Sequence, residues 1–351
     1  MTTYSLRLLD KTEDGGVITW RAADYDGSVL ASTADGAAGP VPGSMAGVTV
    51  LQFEAMDIPL LSQDDDAPGI YVAAATMIGT WRGAVVYRSR DGGTTYTEAA
   101  QLNAAATLGR CESVLGDWDG GNQIDVSSWV DVVVSGELET ITAAALLEGG
   151  NRALIGDEVV HFKRATLLSA GRYRLSGFLR GRLGTEDAQA THTETDRFVL
   201  LDEAVIRLPE QLSDRGKAMR YRCVALGDQV TQGPVQTVNP LRFVSLLPLA
   251  PINLNVAPIA GGGQSVRWTR RTRYAAPLTD GADAPLGEAS ERYSLRIVQT
   301  GLGGVADAVL DTEATTNSYT MADGYEERVL QVAQISATVG NGTAARITTG
   351  A

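Results

Sequence analysis

At 351 residues the chain is long enough for two or three domains, and 44% apolar against 20% charged residues is the balance of a folded, core-forming protein rather than a disordered one. Its net charge of −13 is unevenly placed, with 7 basic and 21 acidic side chains in residues 1–150 against 22 and 21 in residues 151–351; the acidic first part repels phosphate backbones and argues against nucleic-acid binding. No run approaches the ~18 apolar residues of a membrane span, the start MTTYSLRLLDKTEDGG lacks the apolar core of a signal peptide, and long amphipathic stretches are nearly absent, which excludes helical bundles and repeated strand–helix units.

In chain order the sequence reads as short alternating segments parted by Gly, Asp, Asn and Pro, the pattern of strands and tight turns. The first are residues 2–9, 47–53, 69–75 and 83–89, punctuated by Asp14-Gly15-Gly16 and Asp26-Gly27. The last runs into Ser89-Arg90-Asp91-Gly92-Gly93-Thr94-Thr95-Tyr96, which matches the Asp-box pattern S-x-D-x-G-x-T-W/Y of sialidases and other β-propellers. This predicts a hairpin over 83–98 in which Asp91 and Gly93 shape the turn and Tyr96 packs beneath it. Propellers repeat the box in every blade, whereas Ser89, Asp91, Gly93, Thr95 and Tyr96 make a single copy.

Two acidic clusters follow. Asp64-Asp65-Asp66 lacks the alternating spacing of a calcium loop, and Asp117-x-Asp119-Gly120-Gly121-Asn122-x-x-Asp125 departs from the EF-hand pattern at its fifth position and has no terminal Glu. Both read as Asx-turn hairpins, and no metal is expected. Strands are predicted at 129–134, 158–162, 172–179, 197–201 and 219–226, and short helices at 138–148 and 184–190. Residues 119–205 are expected to form a compact β unit inserted between 1–118 and 206–245.

The chain has two histidines. His161 alternates with apolar residues on a strand and reads as structural, while His192 lies in a polar loop, Thr191-His192-Thr193-Glu194. There is no HExxH, no GxSxG, no Walker loop and no GxGxxG opening a helix, so no catalytic residue and no cofactor is expected. Cys111 and Cys223 stand 112 positions apart and read as small buried hydrophobes.

Leu246-Leu247-Pro248-Leu249-Ala250-Pro251 marks a linker. Beyond it, residues 251–351 suit one β-sandwich with seven strands at 252–256, 264–268, 293–300, 305–310, 318–321, 328–336 and 343–348. With Trp268 on the second strand this part resembles a fibronectin type III domain, hung from the rest as a separate bead. The long insertion between its second and third strands carries Arg270, Arg271 and Arg273, expected to be solvated loop charge.

Residues 151–202 are the most distinctive: NRALIGDEVVHF, RYRLSGFLRGRLGTE and RFVLLDEAVIRLP. They resemble the phage tail protein domain of siphophage tail tips, also found in the C-terminal part of the "megatron" baseplate protein of gene transfer agents. That family carries the signature N-A-x-I-G-x-E-x-x-x-F … Y-x-L-S-x-L-L-R-G-R-x-G-T-E … F-V-L-L-D. This chain matches it at Asn151, Gly156, Glu158, Phe162, Tyr173, Leu175, Arg180, Gly181, Arg182, Gly184, Thr185, Glu186, Leu201 and Asp202. Weaker likeness extends over residues 40–351.

The resemblance implies an all-β protein of two tail-hub domains, one inserted in the other, followed by the fibronectin-like sandwich. It also implies a structural, non-enzymatic virion protein of the tail tip or baseplate, made in the host cytoplasm. Such a subunit acts in host attachment and genome delivery as a homotrimer, alongside hub and distal tail proteins and facing a host-surface receptor. Longer relatives place a TIM-barrel-like region before this part, so the start at Met1 suggests a split gene or a shorter relative. Within the signature, Arg180 and Arg182 are expected to tie carboxylates such as Glu158 or Glu186. The alternative reading, from the Asp box and the fibronectin-like part, is a carbohydrate-binding or carbohydrate-active β protein.

Overall fold

The computed structural model describes residues 6–24, 49–260, 262–274, 284–301, 306, 308–322 and 325–350. The expected strand residues 2–5, 47–48, 305 and 307 and the Asp26-Gly27 turn lie outside them. The described chain is all-β, and its one α-helix, α1 (Ala143–Leu147), is a single turn capped by Thr142, whose hydroxyl accepts from the Ala145 N–H.

Residues 1–47 form a unit of their own. In it β1 (Leu6–Asp14) and β2 (Val17–Asp24) pair antiparallel across Gly15-Gly16.

In the second unit, β3 (Val50–Met56) and β4 (Gly69–Ile78) pair with each other, and β5 (Ala84–Ser89) with β6 (Thr97–Leu102). Much later in the chain come β13 (Ile206–Pro209), β14 (Met219–Ala225) and β15 (Val235–Val238). The orders β13-β4-β3 and β15-β14-β5-β6 give a three-on-four sandwich around Phe53, Ile70, Val86, Leu208 and Tyr221.

Between β6 and β13 the chain closes a six-stranded barrel. Its strands are β7 (Leu108–Cys111), β8 (Asp125–Val134), β9 (Arg152–Ile155), β10 (Glu158–Ser169), β11 (Arg172–Arg182) and β12 (Arg197–Leu200), in the order β10-β11-β8-β7-β12-β9. Val130, Val132, Phe162, Leu175, Phe178 and Phe198 fill it, as alternation on each strand requires.

β4 explains how sandwich and barrel meet. It is buried on both faces: Ile70, Val72 and Ala74 join the sandwich core, while Tyr71, Ala73 and Ala75 pack with Leu154, Val159 and Val199 on the outside of the barrel. The alanines let the two bodies approach closely. This structure corrects the expected boundary at 119. β7 already belongs to the barrel, pairing with β8 and β12, and the Gly- and Asp-rich stretch 117–122 is a loop within the barrel rather than a junction between domains.

The terminal part has seven strands: β16 (Ile252–Pro258), β17 (Gln264–Thr269), β18 (Tyr293–Gly301), β19 (Ala308–Ala314), β20 (Ser318–Met321), β21 (Tyr325–Ser336) and β22 (Gly340–Gly350). The orders β16-β17-β20 and β19-β18-β21-β22 make a fibronectin-type three-on-four sandwich, with Trp268 edge-on to Tyr293 at 5.1 Å in its core.

It is not a separate bead. Val339, in the β21–β22 turn, is buried with Leu246 and Leu247 in the core of the first sandwich, and the Thr343 N–H donates to the Pro248 carbonyl at 3.0 Å. Nor are the loop arginines merely solvated. Arg271 pairs with Glu186 of the barrel at 2.7 Å, Arg273 pairs with Asp66, and Arg270 donates to the Ala284 carbonyl at 2.7 Å and lies 3.5 Å from Glu291. The insertion folds back onto acidic loops of both neighbours, so its charges find partners there.

Candidate functional site

The signature residues converge at one end of the barrel, where β9 turns into β10, β11 leaves, and the chain returns into β12. Gly156 lies in the left-handed region at φ 58°, and a Cβ on it would stand 2.7 Å from an Asp196 carboxylate oxygen; only glycine suits this turn. The turn delivers Glu158 into the interior, where it is fully buried. From β11 Arg180, 3% exposed, meets it: Nε donates to Oε1 at 3.0 Å and Nη2 to Oε2 at 2.9 Å. Gly181, at φ 55°, turns its N–H onto Glu158 Oε1 at 2.5 Å. The remaining Arg180 nitrogen, Nη1, donates to the Gly116 carbonyl at 2.8 Å and lies 3.4 Å from Asp125.

His192 completes the cluster. Its side chain is 2% exposed, with Nε2 at 2.8 Å from Glu158 Oε2 and Nδ1 at 2.8 Å from Asp196 Oδ2. Both contacts are to acceptors, so both ring nitrogens carry protons and the ring is an imidazolium. Burial works against the charge, but the hydrogen bonds that the ring donates to Glu158 and Asp196 outweigh it and hold the His192 pKa above its usual 6.5. Burial likewise opposes ionisation of Glu158, and the bonds from His192 and Arg180 bring its pKa below the usual 4.5. For Asp196, too, burial is outweighed, here by Thr193 and His192, and its pKa falls. Asp125 is held low by Ser128 and Ser127 against its own desolvation.

The cluster thus carries two cations and three carboxylates, cross-linking β8, β10, β11 and the segment before β12. Glu158 accepts bonds from Arg180, Gly181 and His192, which uses its lone pairs in holding the barrel. These bonds clamp β10, β11 and the segment before β12 together.

The pH dependence follows from the signs. The carboxylates, with lowered values, contribute stability that is present above about pH 4.5 and lost as pH falls through their folded values. His192, with a raised value, contributes stability that is present below pH 6.5 and lost as pH rises through its folded value. H192Q should therefore lose most stability relative to the parent between about pH 4.5 and 6.5, and the gap should narrow under alkaline conditions. Urea unfolding of both proteins at a series of pH values checks this; a gap that widens with pH would contradict it.

Other signature residues are placed differently from the expectation. Arg182 donates to Asn122 at 3.2 Å rather than to a carboxylate, and Glu186 pairs with Arg271 of the terminal sandwich. The Thr185 hydroxyl accepts from the Val159 N–H at 2.9 Å and donates to the Arg182 carbonyl at 2.8 Å. Gly184 makes room for Leu249, whose Cδ2 would lie 2.5 Å from a Cβ there. Asn151 donates from Nδ2 to the Glu139 carbonyl at 2.7 Å.

The second histidine, His161, is buried with Nδ1 3.0 Å from the Gly150 carbonyl, and burial lowers its pKa. Both cysteines are buried and unpaired, and burial pushes each thiol up to about 12. Sequence reasoning missed His192, Asp196 and Asp125 as members of the cluster. Asp125, met in the sequence as the last position of a calcium-like stretch, instead faces Arg180 and accepts from the Ser127 and Ser128 N–H groups at 3.0 and 2.9 Å.

The Asp box forms a closed turn at the β5–β6 hairpin. Ser89 Oγ accepts from the Gly93 N–H at 2.8 Å and donates to Asp91 at 2.7 Å, and Asp91 accepts from the Thr94 and Thr95 N–H groups at 3.0 and 2.9 Å. Thr95 Oγ1 adds a bond of 2.6 Å, and together these hold the Asp91 carboxyl far below the usual range. Tyr96 stacks under the Arg222 guanidinium at 4.2 Å.

Among the described residues no group of three or more His, Cys, Asp and Glu side chains is arranged to hold a metal ion, and no helix is long and apolar enough to cross a membrane. Residues 106–199 match the family described as Rcc01698-like, C-terminal, a span that coincides with the barrel. No curated protein matches the chain. Similar solved structures include domains d3–d4 of the rat CD45 extracellular region, at 10% identity and a TM-score of 0.22, covering 39% of this chain and 65% of that one. The FN1–FN3 domains of chicken CNTN1 are 12% identical with a TM-score of 0.20, covering 86% of this chain and 97% of that one.

Proposed function

We propose that this chain is a structural subunit of a phage or gene-transfer-agent tail tip or baseplate, acting without catalysis in host attachment and genome delivery. The observation that carries the reading is the coincidence of three spans: the tail-protein signature of residues 151–202, the match over 106–199, and the closed barrel from Leu108 to Leu200. The clamp at the end of that barrel supports a mechanical role, since its charged groups bond one another rather than face solvent. The docked terminal sandwich supports it as well, because Val339 and the Arg271–Glu186 pair join it to the body as one unit able to transmit force. In the particle the subunit is a homotrimer around the tail axis, bound to hub and distal tail proteins, with the terminal sandwich turned toward a host receptor.

The acidic first part, at 7 basic against 21 acidic residues over 1–150, makes three copies repel at low salt. The chain alone should accordingly be monomeric at low ionic strength and trimerise with its hub partner or at high salt. Light scattering of the full chain, alone and with that partner, reads this directly. Disrupting the gene should give particles without a complete tail tip. Intact, infectious particles, or purified protein that cleaves envelope glycan or peptide, would overturn the reading.

A further inference from the structure

A cavity of about 580 Å³ opens where the barrel, the first sandwich and the terminal sandwich meet. Its walls are of two kinds: Leu60, Leu61, Leu247 and Leu249 supply apolar surface, and Arg152 and Arg273 supply guanidinium groups. The Nε atoms of both arginines are buried without a hydrogen-bond partner. A buried unsatisfied donor asks for an explanation, and the two residues that carry these donors line one cavity.

Arg273 is otherwise engaged. It pairs with Asp66, donates to the Tyr274 hydroxyl at 2.9 Å, and lies 3.8 Å from Glu288. Arg152 is not. It donates from Nη1 to the Leu61 carbonyl at 3.2 Å, and among the described residues it forms no ion pair. Arginine does not escape burial by losing its proton, so its charge lines the cavity without an ion-pair partner among the described residues.

We propose that this junction cavity binds a small organic monocarboxylate, its headgroup on the Arg152 guanidinium and its apolar body against the four leucines. The planar fork of a guanidinium matches a carboxylate in two parallel hydrogen bonds. The volume is that of a small-molecule site with mainly apolar walls. Asp64 also lines the cavity and disfavours ligands of higher negative charge. The ligand would wedge the three bodies together at their meeting point. This inference does not depend on the role in the particle proposed above.

Octanoate is the probe, with octanol and octylammonium as uncharged and cationic controls, titrated calorimetrically into the full chain. Octanoate should bind at least about tenfold more tightly than either control. R152Q should weaken octanoate by at least about tenfold, and L61W, which intrudes on the apolar wall but leaves the guanidinium, should weaken it likewise. Circular dichroism verifies that each variant keeps its fold, and if R152Q does not, L61W and the two controls decide. No octanoate binding, octanol binding as tight as octanoate, or octanoate binding unchanged by the folded variants would each overturn the proposal.

Discussion

Replacing Arg180 by Met should cost about 3–5 kcal/mol of stability, because it leaves Glu158 buried without its guanidinium partner. The loss reads as a lower urea midpoint with little change in slope. His192 still bonds Glu158 in the variant, so the carboxylate is partly compensated and the cost should grow as pH rises through the folded value of His192, where that proton is lost. Removing both charges, in R180M/E158L, should cost less than the sum of the single changes, since neither partner is then left uncompensated in the interior. A midpoint unmoved by R180M would mean that the clamp contributes nothing to holding the barrel.

Trp268→Ala should cost about 3–5 kcal/mol, the range for emptying a large aromatic from a core. Trp268 is buried against Tyr293 at 5.1 Å, among Val266, Leu295, Ile297 and Leu330. The damage should appear first in amide exchange of β16 and β17, which hold one face of that core. It should also reach Leu246 and Leu247, because Val339 of the same sandwich is part of their core. Protection lost across β16–β22 while Leu246 and Leu247 remain as protected as in the parent would show that the terminal sandwich unfolds independently of the body.

The strand content was legible because burial on one face writes a period of two into the chain. Tyr173 and Leu175 on β11, and Leu295 and Ile297 on β18, are buried at alternate positions and are easily read. So was the terminal sandwich, whose strands were expected close to their observed positions with Trp268 on the second, except the fourth, expected at 305–310 and found at Ala308–Ala314. The short strands β7, β9, β13 and β15 were not read from the sequence, although β12 and β20, also of four residues, were; over so few residues periodicity does not separate strand from loop consistently.

Residue chemistry was legible only in part. The likeness of residues 151–202 to tail proteins singled out Glu158 and Arg180, but nothing in Thr191-His192-Thr193-Glu194 distinguishes a buried imidazolium from a solvated loop histidine.

By itself, then, the sequence determined the all-β class, the Asp-box turn and the glycines of the signature, because these depend on neighbours within a few residues. What touches what across the fold was decided by tertiary structure alone. His192 reaches Glu158 across 34 positions, Arg271 reaches Glu186 across 85, and Asp66 is met by Arg273 across 207. Barrel closure and the docking of the terminal sandwich bring these groups together, and charge pairing over such separations leaves no local pattern in the chain.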